Sequence, residues 1–139
     1  MKLNASQKKL LEKIGKKYKL KLILLHGSYA NGTQKPGSDI DLAVLGKKEL
    51  PVRQLLSLEG DFADVFGGER ELDIKTLHRK DPLFLYQVTK NSQSLFGNSS
   101  DYNEFRAYAF KSFFDAKDLF SLEEKLIYKF QHYLMEKYG

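Results

Sequence analysis

The sequence predicts an α/β fold, in which a small mixed sheet is flanked by helices and followed by a helical C-terminal segment. Strand-like runs at residues 20–26 and 69–77 alternate with segments of helical spacing, and turn-forming residues separate them. A chain of 139 residues, 42% of them hydrophobic, can bury one ordinary core. We therefore expect one domain over residues 1–139, with an α/β core over 20–96 and a helical segment over 101–139.

The first segment is predicted to be a basic amphipathic helix. Its apolar stripe contains Leu10, Leu11, Ile14 and Tyr18, and lysine fills most of the remaining surface. Residues 1–21 hold eight Lys and one Glu, a net charge of +7, so the other 118 residues sum to −2. This local basicity suits either an ordinary solvated helix face or a surface that meets nucleic acid or an acidic protein.

The second segment predicts a phosphate-binding turn. Residues 20–26 form an apolar run typical of a buried strand, which ends at Gly27-Ser28 before a short helical turn. Glycine lets a phosphate approach the backbone, and a serine hydroxyl with the free N–H groups of a helical turn can hold phosphate oxygens. His26, at the strand end, is predicted to be structural.

Asp39-Ile40-Asp41 predicts a cation site on the next strand. Side chains at i and i+2 of a strand point the same way, so Asp39 and Asp41 share one side while Ile40 enters the core. Carboxylate pairs suit Mg²⁺, which is typically held by one or two carboxylates together with substrate phosphates. The chain therefore has the parts of a site for a nucleoside triphosphate. Lys35, Arg53 and Arg79 are candidates for contacting its charge.

The remaining core elements follow in order. Residues 50–66 predict a helix with Pro51 near its first turn and Gly67-Gly68 at its end. Residues 69–77 alternate as a strand with Asp73 on the polar side, and rival carboxylates are Asp61, Asp64, Glu69 and Glu71. Residues 81–90 predict a short capped helix, and residues 94–97 close the α/β part.

The C-terminal segment is predicted to be helical, and it is rich in aromatic residues that either complete the core or form a partner surface. Residues 101–139 carry eleven of the eighteen aromatic residues, more than one helix needs for packing on a small sheet. The surplus indicates a partner surface. A break is expected at Phe120-Ser121, because Ser121-Leu122-Glu123-Glu124 has the pattern of a capping box.

Composition excludes several classes of function. The chain has no cysteine, which removes disulfides, thiol catalysis and cysteine metal sites. It has no apolar N-terminal signal region and no run of eighteen apolar residues. We expect a cytoplasmic protein without a membrane segment.

The two motifs together resemble the signature of the DNA polymerase β-like nucleotidyltransferase superfamily, in which Gly-Ser is followed after about ten residues by Asp-x-Asp. Ten residues separate Gly27-Ser28 from Asp39-Ile40-Asp41. The superfamily also needs a third carboxylate on a later strand, for which Asp73 is the best candidate. The match covers residues 20–96, and a form without an added substrate domain resembles the minimal nucleotidyltransferases (MNT), which are commonly paired with an all-helical HEPN ribonuclease in toxin–antitoxin systems.

The resemblance implies a role for each of these residues. Gly27 and Ser28 would bind the triphosphate of ATP. Asp39 and Asp41 would hold two Mg²⁺ ions, and Asp73 would ligate the catalytic metal and help to deprotonate the acceptor hydroxyl. In the antitoxin subfamily the acceptor is a tyrosine of the HEPN toxin, which receives AMP and is silenced.

Two other functions stay open on the sequence alone. The first is an enzyme whose acceptor is a small molecule, such as an aminoglycoside, or an RNA end. The small size of the chain speaks against this function, because such enzymes usually carry an extra domain that holds the acceptor. The second is a non-catalytic module that neutralises its partner by occlusion. The carboxylate set speaks against that alternative, because a pure binding protein has little reason to gather metal-binding groups.

Overall fold

A computed structural model describes residues 1–78 and 81–139. Within those ranges the chain forms five helices and four strands, in the order α1 (Ala5–Lys17), β1 (Leu20–His26), α2 (Ser28–Asn31), β2 (Ile40–Gly46), α3 (Val52–Phe66), β3 (Leu72–Thr76), α4 (Pro82–Lys90), β4 (Gln93–Phe96) and α5 (Ser99–Tyr138). The strands form one sheet in the order β3-β2-β1-β4. β1 is antiparallel to β2 and β4, whereas β2 and β3 are parallel, so the sheet is mixed as predicted.

Local capping residues set the helix boundaries. Asn4 and Gln7 form a reciprocal capping box at the start of α1, and the Asp81 carboxylate accepts the first free N–H groups of α4. α3 begins after Pro51 and ends at Gly67, whose φ of 83° is open to glycine without a steric penalty. The predicted helices at 50–66 and 81–90 are therefore confirmed.

The predicted break in the C-terminal helix is wrong. α5 runs without interruption through Phe120 and Ser121 for 40 residues. Residues 99–138 contain neither glycine nor proline, so nothing interrupts the i to i−4 hydrogen bonds, and serine and glutamate are tolerated within a helix. The capping box at Ser121 does not form, because its pattern needs a residue that leaves helical geometry. Asn98 caps the true start, where its Oδ1 accepts from the Asp101 N–H at 2.7 Å.

The sheet is covered by helices on both faces. On one side, which we call the α1–α3 face, Ile23 and Leu25 of β1 and Leu42 of β2 pack among residues of α1 and α3, including the fully buried Phe62. On the other side, the α4–α5 face, the alternate residues of these strands pack against α4 and α5 with Leu77. This second cluster contains Leu22, Leu24, Ala43, Leu77, Leu85, Val88 and Ala109. Strand alternation thus divides β1 and β2 between two cores, and full burial of each large aliphatic side chain contributes about 1.5–3 kcal/mol.

A polar contact joins α1 to α3. The Tyr18 hydroxyl donates to Asp61 Oδ2 at 2.6 Å, and Lys17 Nζ lies 2.9 Å from the same oxygen. These two hydrogen bonds hold the pKa of Asp61 below its usual value. Asp61 and Asp64 lie on α3, which covers the α1–α3 face, so these rival carboxylates belong to helix packing and the helix surface.

None of the helices formed by the described residues combines the length and the apolar character that crossing a bilayer requires.

Candidate active site

One end of the α4–α5 face carries a row of polar side chains. His26 of β1 is the register partner of Asp41 in β2, and Asp41 is the register partner of Asp73 in β3. Neighbours at matching register positions point to the same face of a sheet. His26, Asp41 and Asp73 therefore lie side by side across three strands, and all three are partly exposed. Because Asp73 pairs in register with Asp41, the structure brings the predicted third carboxylate to the predicted motif.

Asp39 approaches this row from the loop before β2. It directly precedes the strand and is exposed, while Ile40 is buried as predicted. The Ile40 N–H donates to the Glu71 carbonyl at 2.9 Å, which anchors the start of β2 beside β3. A turn in which Ser38 Oγ accepts from the Lys35 N–H at 2.8 Å leads the chain into Asp39. The carboxylates of Asp39 and Asp41 are close enough for the first to raise the pKa of the second.

Gly27 lies directly against the carboxylate of Asp41. Its φ of 71° and ψ of −151° fall in a region that is essentially restricted to glycine. A Cβ at this position would collide with Asp41 Oδ2. Both the backbone conformation and the close approach therefore require glycine, which places the turn after β1 in contact with the carboxylate row.

Ser28 begins the short helix α2 that follows. The Ala30 and Asn31 N–H groups both donate to the Gly27 carbonyl at 3.1 Å, and Thr33 N–H donates to the Ser28 carbonyl at 3.0 Å. These bonds hold the turn rigidly. The first N–H groups of a helix have no acceptor inside the helix, so those at the start of α2 are directed out of the turn beside Ser28.

The pKa of Asp41 is shifted from its usual value by its place in the row. Burial raises the pKa of its carboxyl above the usual value, and the Asp73 and Asp39 carboxylates raise this pKa further, whereas His26 and Lys75 lower it. Removing water and gathering negative charge both disfavour the ionised form. A bound cation would relieve that penalty, so Asp41 has the electrostatic environment of a cation ligand.

Burial is the main influence on the His26 side chain. Its Nε2 atom is buried, and no described residue hydrogen-bonds to it. Burial lowers the pKa of His26, Lys75 lowers it further, and the Asp41 and Asp73 carboxylates oppose that change. The prediction that His26 is structural stays a prediction, because its place beside Asp41 puts it within the site.

Two cations beside the site elements were not predicted from the sequence, one in the row and one against α2. Lys75 Nζ lies 3.6 Å from Asp73 Oδ2, and Lys75 shares the face of Asp73 because it is two residues further along β3. Strand alternation in β3 could therefore have identified Lys75 from the sequence. Arg70 lies over the Tyr29 ring in α2, 5.2 Å from its centroid. No sequence pattern connects Arg70 with the turn, since the contact arises only when β3 joins the sheet.

Of the basic residues predicted to contact the triphosphate, the structure places Lys35 near the row but not Arg53. Lys35 lies in the turn that precedes Asp39, near the row. Arg53 lies in the first turn of α3, which follows the Gly46 end of β2 and is therefore remote from Asp41. Arg79 lies outside the described residues.

The donor set fits a hard divalent ion. Asp41 and Asp73 are oxygen donors on adjacent strands, with Asp39 two residues before Asp41, and such ligands are those that Mg²⁺ prefers. Within residues 1–78 and 81–139, however, no three acidic, histidine or cysteine side chains are already gathered as a metal-binding group. In this structure the Lys75 ammonium lies beside the Asp73 carboxylate.

Comparison with known proteins gives one family and several relatives. Residues 8–101 match the family described as "Polymerase beta, Nucleotidyltransferase". Over 83 residues the chain is 34% identical to the protein adenylyltransferase MntA of Shewanella oneidensis strain MR-1. This match covers 60% of the chain and 58% of MntA, so it spans little more than half the length of that relative.

Two solved structures share the architecture. A chain in the crystal structure of a toxin–antitoxin with AMP-PNP has a TM-score of 0.68 at 25% identity, over 89% of this chain and 98% of that one. A chain in the structure of a tri-AMPylated Shewanella oneidensis HEPN toxin in complex with an MNT antitoxin has a TM-score of 0.63 at 22% identity, over 91% and 97%. At that lower identity the likeness shows the fold alone. The predicted fold class is thus confirmed.

Proposed function

Because the chain belongs to the polymerase beta nucleotidyltransferase family, we propose that it transfers AMP from ATP to a tyrosine hydroxyl of a HEPN-type ribonuclease toxin and thereby acts as its antitoxin. The observation that carries this proposal is the register of Asp73 beside Asp41, next to the Gly27 turn. The similarity to MntA, a protein adenylyltransferase, and to a toxin–antitoxin with AMP-PNP supports the reaction and the partner.

The turn after β1 is the proposed triphosphate site. Gly27 leaves its backbone open to a phosphate, and the Ser28 hydroxyl with the N–H groups at the start of α2 can donate to phosphate oxygens. The carboxylate row lies directly beside this turn, since Gly27 contacts Asp41. A bound triphosphate would therefore bring its phosphorus atoms to the acidic residues.

Asp39, Asp41 and Asp73 are the proposed ligands of Mg²⁺, with two ions expected. Bound Mg²⁺ would increase the acidity of the acceptor hydroxyl and neutralise the charge that develops on pyrophosphate. Asp41, whose pKa is raised by burial, must ionise to serve as a ligand. The protein supplies orientation, because the two strands hold Asp41 and Asp73 at fixed register positions.

The proposed chemical step needs no covalent enzyme intermediate. The tyrosine oxygen attacks the α-phosphorus of ATP, a new oxygen–phosphorus bond forms, and the bond from that phosphorus to the oxygen bridging it to the β-phosphorus breaks. Pyrophosphate leaves with the electron pair of that bond. The phenolic proton passes to Asp73, whose side chain is 46% exposed, and from there to solvent.

The outer half of α5 is the proposed docking surface for the toxin. Every residue from 117 to 139 is exposed, and large apolar side chains are frequent among them. Three apolar residues of this half recur at intervals of seven, the spacing with which one helix packs against others: Phe120, Ile127 and Leu134. An all-helical partner would cover this stripe, as a helix in a groove does.

The proposal is tested by intact mass spectrometry of a HEPN protein encoded beside this chain, after incubation with the chain, ATP and Mg²⁺. We expect the HEPN protein to gain AMP-sized mass increments. Asp39→Asn and Asp41→Asn should abolish the increments while leaving the fold intact, because asparagine is nearly isosteric but uncharged. Asp64→Asn, an exposed carboxylate on the α1–α3 side, should transfer AMP like the wild type.

Other outcomes would redirect the assignment. Full transfer by either Asp39→Asn or Asp41→Asn with Mg²⁺ present would overturn the proposed site. A partner that binds tightly without modification would indicate neutralisation by occlusion. Absence of both binding and modification would reopen the small-molecule and RNA acceptors.

A further inference from the structure

We propose that Lys75 is a positioning residue that serves as the internal counter-ion of the carboxylate row in the nucleotide-free protein, and that its ammonium moves onto the triphosphate when nucleotide and Mg²⁺ bind. This inference deepens the proposed nucleotidyl transfer and rests on it. Neither Gly27-Ser28 nor the acidic motif supplies a cation for the triphosphate. The structure places the Lys75 ammonium beside the carboxylate row.

The first argument is position. Lys75 follows Asp73 by two residues on β3, and its ammonium turns back so that Nζ lies 3.6 Å from Asp73 Oδ2. Its register partner on β2 is Ala43, a fully buried small side chain that leaves room for the lysine to lie along the sheet. The ammonium therefore lies between the apolar part of the α4–α5 face and the carboxylate row.

The second argument is what surrounds the ammonium. Asp73, Asp41 and His26 are the titratable groups of the row, and Lys75 lowers the pKa of both Asp41 and His26. From α4, the Phe84 ring lies 5.8 Å from Lys75 Nζ. An aromatic ring attracts a cation without binding it as tightly as a carboxylate does, so it can hold the lysine at the edge of the site.

The third argument is freedom to move. The Lys75 and Asp73 side chains are 41% and 46% exposed, and ion pairs of such exposure contribute little to folding. The fold therefore does not depend on this pair. A Mg²⁺ ion, with twice the charge, would compete with Lys75 for Asp73, and the displaced ammonium would lie within reach of a phosphate beside the row.

This exchange predicts effects of opposite sign for one substitution. Lys75→Met keeps the length and apolar stem of the side chain but removes its charge. We expect Mg²⁺ alone to bind Lys75→Met about threefold or more tightly than the wild type, because its competitor is gone. We expect Mg²⁺ with α,β-methylene ATP to bind about tenfold more weakly, because a charge-assisted contact to phosphate is lost.

The measurement is isothermal titration calorimetry on the full chain, without any partner protein. The two probes are Mg²⁺ alone and Mg²⁺ with α,β-methylene ATP, in which the bond that breaks during AMP transfer is replaced by a stable one. Lys90→Met is the matched control, since Lys90 Nζ also lies near an aromatic ring of α4, 5.7 Å from the Tyr86 centroid, but Lys90 is not among the groups that shift the pKa of Asp41 or His26. It should bind both probes like the wild type. Lys75→Arg, which retains the charge, should restore most of the analogue affinity.

The inference is overturned if Lys75→Met shifts both affinities in the same direction or changes neither, or if the wild type binds neither probe. Circular dichroism and the thermal midpoint show whether the variant is folded. The outcome is separable from that of the proposed function. Opposite shifts with no modification of a HEPN partner would keep the role of Lys75 and reject the acceptor, whereas AMP transfer without opposite shifts would reject the role of Lys75 alone.

Discussion

Gly27 and Asp41 depend on each other at the residue scale. The Gly27 backbone adopts a conformation restricted to glycine, and its missing side chain is the space that the Asp41 carboxylate fills. Packing a carboxylate against the backbone removes water from it, which is the main cause of its raised pKa. The turn and the carboxylate therefore form one unit, although thirteen residues lie between Gly27 and Asp41 in the sequence.

Gly27→Ala should abolish the proposed AMP transfer. The new Cβ would push the Asp41 carboxylate out of place, and we expect at least a hundredfold loss of rate, since misplacing a catalytic group by about 1 Å costs a similar factor. Backbone strain should also lower stability by about 1–3 kcal/mol. The measurements are the transfer rate by mass spectrometry and the free energy of unfolding by urea titration.

The control for Gly27→Ala is Gly32→Ala. Gly32 has a φ of 75° at the end of α2, but a Cβ there would have no heavy atom within 4 Å. It should lose stability by about 1–2 kcal/mol while transfer continues. Equal transfer by both variants would contradict the contact between Gly27 and Asp41 as the cause.

Asp61 gives stability a defined pH dependence. Hydrogen bonds from Tyr18 and Lys17 lower its pKa in the folded protein, so its contribution is present above the unfolded pKa of about 3.9 and is lost as pH falls through the folded pKa. Asp61→Asn should lower the free energy of unfolding by about 1–2 kcal/mol at pH 7. The difference in the free energy of unfolding between the wild type and Asp61→Asn should become smaller below about pH 4. Urea titrations at several pH values measure this difference.

Asp64→Asn provides the matching control on the same helix. Asp64 is exposed, so this substitution should change stability by less than about 0.5 kcal/mol at either pH. The difference in the free energy of unfolding between the wild type and Asp61→Asn could instead stay constant from neutral to acidic pH. That result would show that the bond to Tyr18 does not depend on the charge of Asp61.

At the scale of elements, α5 has two parts with different surroundings. Its first part packs on the sheet through Ala109 and Phe105, and Phe113 stacks on Tyr86 of α4 with ring centroids 4.1 Å apart. Its outer part, from residue 117, contacts solvent on every side. A helix with this much exposed apolar surface is typical of a segment that is buried in a complex.

Phe120→Glu with Ile127→Glu should abolish binding of the proposed HEPN toxin partner and leave the chain folded. The two side chains are 59% and 56% exposed in the free chain, so their replacement removes little burial. Against an apolar partner surface, two unpaired carboxylates should weaken binding at least about a hundredfold. Surface plasmon resonance with the toxin measures the affinity, and circular dichroism measures the thermal midpoint.

Ser121→Glu with His132→Glu adds the same charge to the polar side of α5 and serves as the control. Both residues are exposed, and they lie away from the stripe of Phe120 and Ile127. We expect this double variant to bind the toxin nearly as well as the wild type. Undiminished binding by the Phe120 and Ile127 variant would place the docking surface elsewhere.

The elements also show where prediction from sequence succeeds. Helices α3 and α4 were predictable because their ends are marked by local residues, Pro51 and Gly67 for one and Asp81 for the other. The break predicted at Ser121 is wrong because a capping pattern does not by itself end a helix. The pattern marks a helix start only where the preceding residue leaves helical geometry, and no residue near Ser121 does so.

At the scale of the whole molecule, we propose that the chain is one domain. β1 and β2 contribute alternate residues to both cores, so neither the α1–α3 face nor the α4–α5 face can form without the same two strands. α5 closes the second core with Ala109 and only then extends outward. The helical C-terminal segment is thus partly core and partly surface. A cytoplasmic location stays a prediction.

Charge is separated along the sheet. β1 pairs its Leu20 end with Gly46 and its His26 end with Asp41. Lys47 donates its backbone N–H to the Lys19 carbonyl at 3.0 Å, so the basic residues after α1 and β2 meet at the Leu20 end. That end lies roughly 20 Å from the carboxylates, at about 3.3 Å per strand residue. Lys19 and Lys47 therefore cannot hold the same phosphates as Asp41, and the role of the basic N-terminal region as a nucleic-acid or acidic-protein surface stays a separate prediction.

The sequence by itself determined the features that arise from neighbours in the chain. Periodicity and capping residues defined the elements, and strand alternation put Ile40 in the core with Asp39 and Asp41 toward the other side. Only the tertiary structure decided that Asp73 is the register partner of Asp41, that Gly27 contacts Asp41, and that the Lys75 ammonium lies beside the Asp73 carboxylate. The physical reason is that strand register and the approach of loops depend on how distant side chains fill the two cores, which no local pattern specifies.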